Sequence, residues 1–159
     1  MSLRYNRITV LGSHLRFLLL YKSYDRIIIG ASGQKIKGFL PTEEKYFDVE
    51  SFKHWSRFKR ESLSEIISEH VWEHLEYPIV ASVCCNYYLK PKGVLIIAVP
   101  DGDDPEQVKT DKPPNWGHKH LFTFRLLKRI LLSAGFEKIE RVKDSRIIRQ
   151  NSLIIKATK

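Results

Sequence analysis

The sequence predicts an α/β fold: an open twisted sheet, mostly parallel, with an antiparallel C-terminal hairpin and helices on both faces. Three observations point there. The runs Ile27-Ile28-Ile29 and Val94-Leu95-Ile96-Ile97-Ala98-Val99 are apolar throughout, as strands buried on both faces are. Between the strand-like runs, apolar residues recur at helical spacing, at Ile79, Val80, Val83, Cys84 and Tyr87. At the end of the chain two more strand-like segments, 137–143 and 152–158, stand close enough to pair antiparallel.

In chain order, Phe17-Leu18-Leu19-Leu20-Tyr21 reads as part of a helix within residues 1–25 that covers the sheet. The run is too short to span a bilayer, follows Arg16, and lacks the small-residue cleavage site of a signal peptide. Arg26-Ile27-Ile28-Ile29 is a central strand closed by the tight loop Gly30-Ala31-Ser32-Gly33. Lys37-Gly38-Phe39-Leu40 begins a second strand, and residues 63–68 give a third. The helix through Ile79 and Tyr87 stops at Lys90-Pro91-Lys92-Gly93, and strand 94–99 ends at Pro100-Asp101-Gly102. Residues 101–121, rich in Asp, Pro and His, are long enough for a lid or substrate loop. Thr123 then caps a helix expected to turn Leu126, Leu127, Ile130, Leu131 and Ala134 inward and to end at Gly135.

With 159 residues and 43% hydrophobic content, the chain reads as one domain, 1–159, with a real core rather than a disordered polymer. Its net charge of +9 is concentrated at the ends: residues 1–26 carry +4, residues 125–159 carry +7, and the middle carries −2. Basic ends suit nucleic acid or another anion, and equally serve solubility. The two cysteines, Cys84 and Cys85, are adjacent and cannot staple distant segments, which fits a reducing, cytoplasmic setting.

The segment Ser68-Glu69-His70-Val71-Trp72-Glu73-His74-Leu75 concentrates the chemistry. If helical, it stacks Glu69 with Glu73 and His70 with His74 on one face. His70-x-x-Glu73-His74 matches the inverted zinc-peptidase spacing, with His118 or His120 as the third ligand that a zinc hydrolase needs. The competing reading is a strand-end loop that holds a small ligand at the carboxyl edge of a parallel sheet. The plainest reading has His70 and Trp72 packing at the strand end while Glu73 caps or pairs locally.

Five segments, in order, resemble the class I S-adenosylmethionine-dependent methyltransferases, a Rossmann-like family, over about residues 26–140. The closer likeness is to a small predicted-methyltransferase subgroup of the methyltransferase type 11 kind. They are Ile27 to Gly33; Gly38-Phe39-Leu40-Pro41-Thr42-Glu43; Tyr46-Phe47-Asp48-Val49; Phe58 to Leu75; and Tyr88 to Gly102, followed by Gly117-His118-Lys119-His120-Leu121 and Ala134-Gly135-Phe136-Glu137. The sequence departs from the family at Ser64, where Asp is usual, at Lys92 in the Pro-Gly-Gly turn, and at Ala31-Ser32 in the glycine loop.

The resemblance implies an enzyme that binds S-adenosylmethionine and releases S-adenosylhomocysteine. Gly30, Ala31, Ser32 and Gly33 would wrap the methionine end, and Glu43, or its neighbour Glu44, would hold the ribose hydroxyls. Asp48 and Val49 would lie at the adenine, and Glu69 and His70 beside the sulfonium. His70 and His118 are the candidate bases, and no metal is expected. The favoured partner is a small-molecule acceptor, with RNA, protein and sugar open. The alternative is a binding module of the same fold that uses its basic ends on nucleic acid or a protein partner; the zinc hydrolase comes third.

Overall fold

A computed structural model of the chain describes residues 21, 23–43 and 47–159. The proposed covering helix, all but Tyr21 and residues 23–25, lies outside the described residues, as do Glu44 and Tyr46. Tyr21 itself is buried, edge-on to Phe58 with ring centroids 5.1 Å apart.

Among the described residues, six strands form one sheet: β1 (Arg26–Ile29), β2 (Leu40–Thr42), β3 (Leu63–Glu69), β4 (Leu89–Val99), β5 (Lys138–Arg141) and β6 (Leu153–Thr158), in the order β2-β1-β3-β4-β6-β5. The first four are parallel, and β6 is inserted antiparallel between β4 and β5. Pleating divides the apolar side chains into two layers. Ile27, Ile29, Ile66, Leu95, Ile97 and Ile155 face the larger one. It is completed by α2 (Pro78–Tyr88) and α4 (Phe124–Ser133), which pack on each other, and by Trp55 of the short α1 (Phe52–Trp55). Ile28, Ile67, Ile96 and Ile154 face the other, where Ala31, Ile36, Phe39 and Ile147 cover them. Among the described residues, no helix is long and apolar enough to cross a membrane.

Three details differ from the sequence reading. The Lys90-Pro91-Lys92-Gly93 stop lies inside β4 as a bulge: Leu63 pairs with Leu89, Glu65 with Val94, and Lys92 takes a φ of 64°. Lys159 clasps the bulge, since Lys92 N donates to its carbonyl at 3.0 Å and Lys159 N donates to Gly93 O at 3.0 Å. The loop 101–121 contains a helix, α3 (Pro105–Asp111). Asp104 Oδ1 caps it by accepting from Glu106 N at 2.9 Å, with Pro105 preset for the first turn. On α4, Leu126 is 41% exposed; Leu127 and Leu131 carry the buried face instead. That helix begins and ends as expected. Thr123 Oγ1 accepts from Leu126 N at 3.2 Å, and Gly135, at a φ of 93°, lets Phe136 N reach Leu131 O at 3.1 Å.

The strand order reverses between β1 and β3, with β2 outside one and β4 outside the other. The connections leaving the two strands run to opposite sides of the sheet, which opens a crevice above their carboxyl ends.

Candidate active site at the carboxyl edge

The crevice is built from local backbone needs. Gly30 ends β1 at a φ of 65°, and a Cβ there would lie 2.3 Å from Val71 Cγ2, so glycine lets the loops after β1 and β3 touch. Ser32 and Gly33 follow at φ values of 44° and 84°. Ala31 N donates to Thr42 O at 3.0 Å, and Gly33 N donates to Glu43 Oε1 at 3.2 Å, which ties the glycine loop to the end of β2.

Two adjoining lobes share Gly30, Ser32, His70 and His74. One, of about 680 Å³, also meets Glu43, Phe47, Asp48 and Val49. The other, of about 740 Å³, also meets Ala31, Glu69, Asp111, Trp116, His118 and Arg149. The sequence-selected residues therefore converge from five segments, except that Gly33 lines neither lobe and contributes through its bond to Glu43. Val49 is buried and anchored, since its carbonyl accepts from Trp55 Nε1 at 2.8 Å.

The Ser68–Leu75 segment is not an α-helix. After β3, His70 adopts a φ of 54° and only Trp72–His74 make a single 3-10 turn, so the segment is a strand-end loop and the stacking that a helix would give does not occur. Glu69 turns its carboxylate to the loop between β5 and β6, accepting from Ile148 N at 3.0 Å and Arg149 N at 2.7 Å. His70 Nε2 meets Ser152 Oγ at 2.8 Å, while its Nδ1 lies 3.2 Å from Arg149 Nη1 and 2.9 Å from Glu73 Oε1. Glu73 is wholly buried.

The lid segment is docked rather than loose. Lys119 N and His120 N both donate to Glu73 O, at 2.7 and 3.1 Å, which carries buried His118 against exposed His74. His118 Nδ1 donates to Asp111 O at 2.6 Å, so its Nε2 keeps the lone pair. Trp116, 78% exposed, adds an aromatic wall. One ligand atom from each of Glu73, His74 and His118 lies within 4.8 Å of the others, although no metal was expected from sequence.

Sequence reasoning missed the wall from residues 144 to 152. Arg146 Nη2 bridges Asp144 Oδ2 and Glu65 Oε1, both at 2.7 Å, and so fixes the loop that presents Arg149 and Ser152. The Arg146 hydrogen bond holds the Asp144 carboxyl below its ordinary value despite partial burial. Partners some 80 positions apart, such as Glu65 and Arg146, leave no local signal. Cys84 and Cys85 are buried in α2 and line neither lobe. Burial, reinforced by the Asp48 carboxylate, pushes the Cys84 thiol up to about 12, and burial raises Cys85 further from use as a nucleophile.

No protein-family model matches the sequence, and neither does any curated protein. Solved structures do match in shape. A SAM-dependent methyltransferase from Archaeoglobus fulgidus is 15% identical, with a TM-score of 0.60 over 96% of this chain and 94% of its own. One from Thermotoga maritima is 16% identical, with a TM-score of 0.55 over 98% of each chain. A third, from Mesorhizobium loti, is 11% identical, with a TM-score of 0.56 over 87% of this chain and 92% of its own. The chain has the Rossmann-like fold of S-adenosylmethionine-dependent methyltransferases.

Proposed function

We propose that the protein is an S-adenosylmethionine-dependent methyltransferase acting on a small-molecule acceptor. The observation that carries this reading is the two-lobed crevice at the β1/β3 reversal, which gathers the Gly30–Gly33 loop, Glu43, Asp48 and Val49. The residues suit the cofactor's parts. Glu43 spends Oε1 on Gly33 N and keeps Oε2 to accept from a ribose hydroxyl. Asp48 and Val49 offer a carboxylate and an apolar surface to an adenine, and the glycine loop offers backbone to the methionine end.

When bound, S-adenosylmethionine supplies a sulfonium methyl group that an in-line nucleophile takes while the C–S electron pair stays on sulfur. The protein supplies alignment and exclusion of water. Trp116 and Ile148 wall the larger lobe, and His118 Nε2 can take the proton an acceptor hydroxyl or amine sheds. His70, whose two ring nitrogens are already engaged, positions the Arg149 and Ser152 wall. A lobe of about 740 Å³ is of the size that encloses small ligands, which favours such an acceptor over a polymer.

Incubation with methyl-labelled S-adenosylmethionine and separate small-molecule, RNA and protein fractions tests the proposal. Label entering the small-molecule fraction, and less of it with His118→Ala, supports the reading. Label entering RNA or protein instead would move the acceptor to that class.

A further inference from the structure

We infer that Glu73, His74 and His118 bind one divalent first-row transition-metal cation at the floor of the larger lobe. The inference goes beyond methyl transfer and holds whether or not that reaction occurs. It starts from Glu73, which is 0% exposed and whose two carboxylate oxygens have no hydrogen-bond partner of acceptable geometry among the described residues. His70 Nδ1 approaches Oε1 at 2.9 Å, but Arg149 Nη1 contends for the same nitrogen at 3.2 Å. A wholly buried carboxylate whose imidazole neighbour is shared with Arg149 is costly, and a cation removes that cost.

The two histidines are prepared for a metal independently of Glu73. His118 Nδ1 donates to Asp111 O at 2.6 Å and His74 Nδ1 to Gly117 O at 3.3 Å. A carbonyl can only accept, so each ring carries its proton on Nδ1 and presents the Nε2 lone pair. A backbone carbonyl behind the ring is the usual outer partner of a metal-bound histidine. The rings stand 4.8 Å apart, centroid to centroid, at 73°.

Magnitudes allow closure. One ligand atom from each of the three residues lies within 4.8 Å of the others. Metal–nitrogen bonds of about 2.0–2.1 Å in a tetrahedral shell place two ligands of one ion ~3.4 Å apart. The remaining movement is up to roughly 1.4 Å, the scale of a side-chain rotation, and His74 is exposed and free to turn.

Two imidazoles and one carboxylate form a borderline donor set suited to Zn2+ or Co2+ rather than Mg2+ or Ca2+, and leave coordination positions free. Since His74 and His118 both line the larger lobe, those positions face it and suit an oxygen or nitrogen donor of a small molecule. A cation there occupies the His118 lone pair and takes over its work by acidifying a bound hydroxyl directly.

The ligand set is not the one the H-x-x-E-H spacing suggests. His70, the first histidine of that pattern, turns to Ser152, and His118 takes its place from 44 residues beyond His74.

The test is Zn2+ titration of chelator-stripped protein without S-adenosylmethionine, with stoichiometry read by metal analysis. The expected result is one Zn2+ per chain. Affinity should fall at least roughly 100-fold in His118→Ala, His74→Ala and Glu73→Gln, and stay unchanged in His54→Ala. No stoichiometric uptake by the wild type, or full uptake by a His118→Ala protein shown folded by circular dichroism, overturns the site. Loss of uptake in His54→Ala also overturns it. If His118→Ala does not fold, Co2+ decides on the wild type: visible d–d bands of a nitrogen- and oxygen-bound ion, displaced by one equivalent of Zn2+, support the site, and their absence overturns it. A separate S-adenosylmethionine titration of the same stripped protein reads the methyl-transfer proposal, so either can fail alone.

Discussion

The carboxylate of Glu69, the last residue of β3, accepts the backbone amide of Arg149 at 2.7 Å, across a sequence separation of 80 residues. With the Ile148 amide on its other oxygen at 3.0 Å, Glu69 seats the β5–β6 loop against the cleft. It therefore acts as a joint of the wall. Glu69→Ala removes both charge-assisted bonds and should cost about 2 kcal/mol; Glu69→Gln, which keeps one acceptor, should cost about 1 kcal/mol. Hydrogen exchange should quicken at residues 148 and 149 first. Denaturant titration gives the stability change.

Gly30 is predicted to be intolerant for two separable reasons. Gly30→Ala places a methyl group 2.3 Å from Val71 Cγ2 and an alanine at a φ of 65°. The left-handed conformation alone costs roughly 1–2 kcal/mol, and the contact adds to it. Adding Val71→Ala should relieve the contact and leave the backbone cost. Non-additive denaturation midpoints for the pair test that coupling.

Glu43→Ala should weaken S-adenosylmethionine binding by roughly 30-fold, the equivalent of about 2 kcal/mol for a charged hydrogen bond to a hydroxyl. Glu43→Gln should fall between it and the wild type. Titration calorimetry on the three proteins orders them.

The folded protein should show no thiol reactive toward a disulfide reagent at about pH 8, because Cys84 titrates only at about 12 and Cys85 is buried beside it. Unfolding in guanidinium should release both. A fast-reacting thiol in the native protein would contradict the packing of α2.

Acid should loosen the cleft wall late. The folded Asp144 carboxyl lies below its ordinary value because Arg146 hydrogen-bonds its charged form. Its stabilising contribution is therefore fully present above the unfolded value and is lost as pH falls through the lower, folded one. Anchoring of residues 144–152 should persist at about pH 5 and fail only below ~4. Exchange measured against Asp144→Asn, which lacks this dependence, isolates it from Asp25, lowered chiefly by its hydrogen bond from Ser64.

The parts of the fold legible in sequence are those whose signal is local. Ile27–Ile29 and Val94–Val99 are apolar because both faces of a central parallel strand are covered, and Thr123 and Gly135 mark α4 by capping chemistry. Helix α3 was also marked, by Asp104-Pro105, but its polar surface hid it within a loop. The bulge at Lys92 is clasped by Lys159, and no pattern near Lys92 announces that partner. The site divides the same way. Gly30 and Glu43 were visible from the strands that precede them, whereas Arg149, Ser152 and the partners of Glu69 come from a loop that pairing of β6 beside β4 brings back. The grouping of Glu73 with His74 and His118 likewise depends on two amides docking on Glu73 O.

Calorimetric titration of the wild-type protein with S-adenosylmethionine and with S-adenosylhomocysteine tests the central claim most directly. The account predicts saturable binding of both, one per chain, in competition for one site and weakened by Glu43→Ala. Folded protein that takes up neither compound at up to about millimolar concentration, a free energy of roughly −4 kcal/mol, would contradict it.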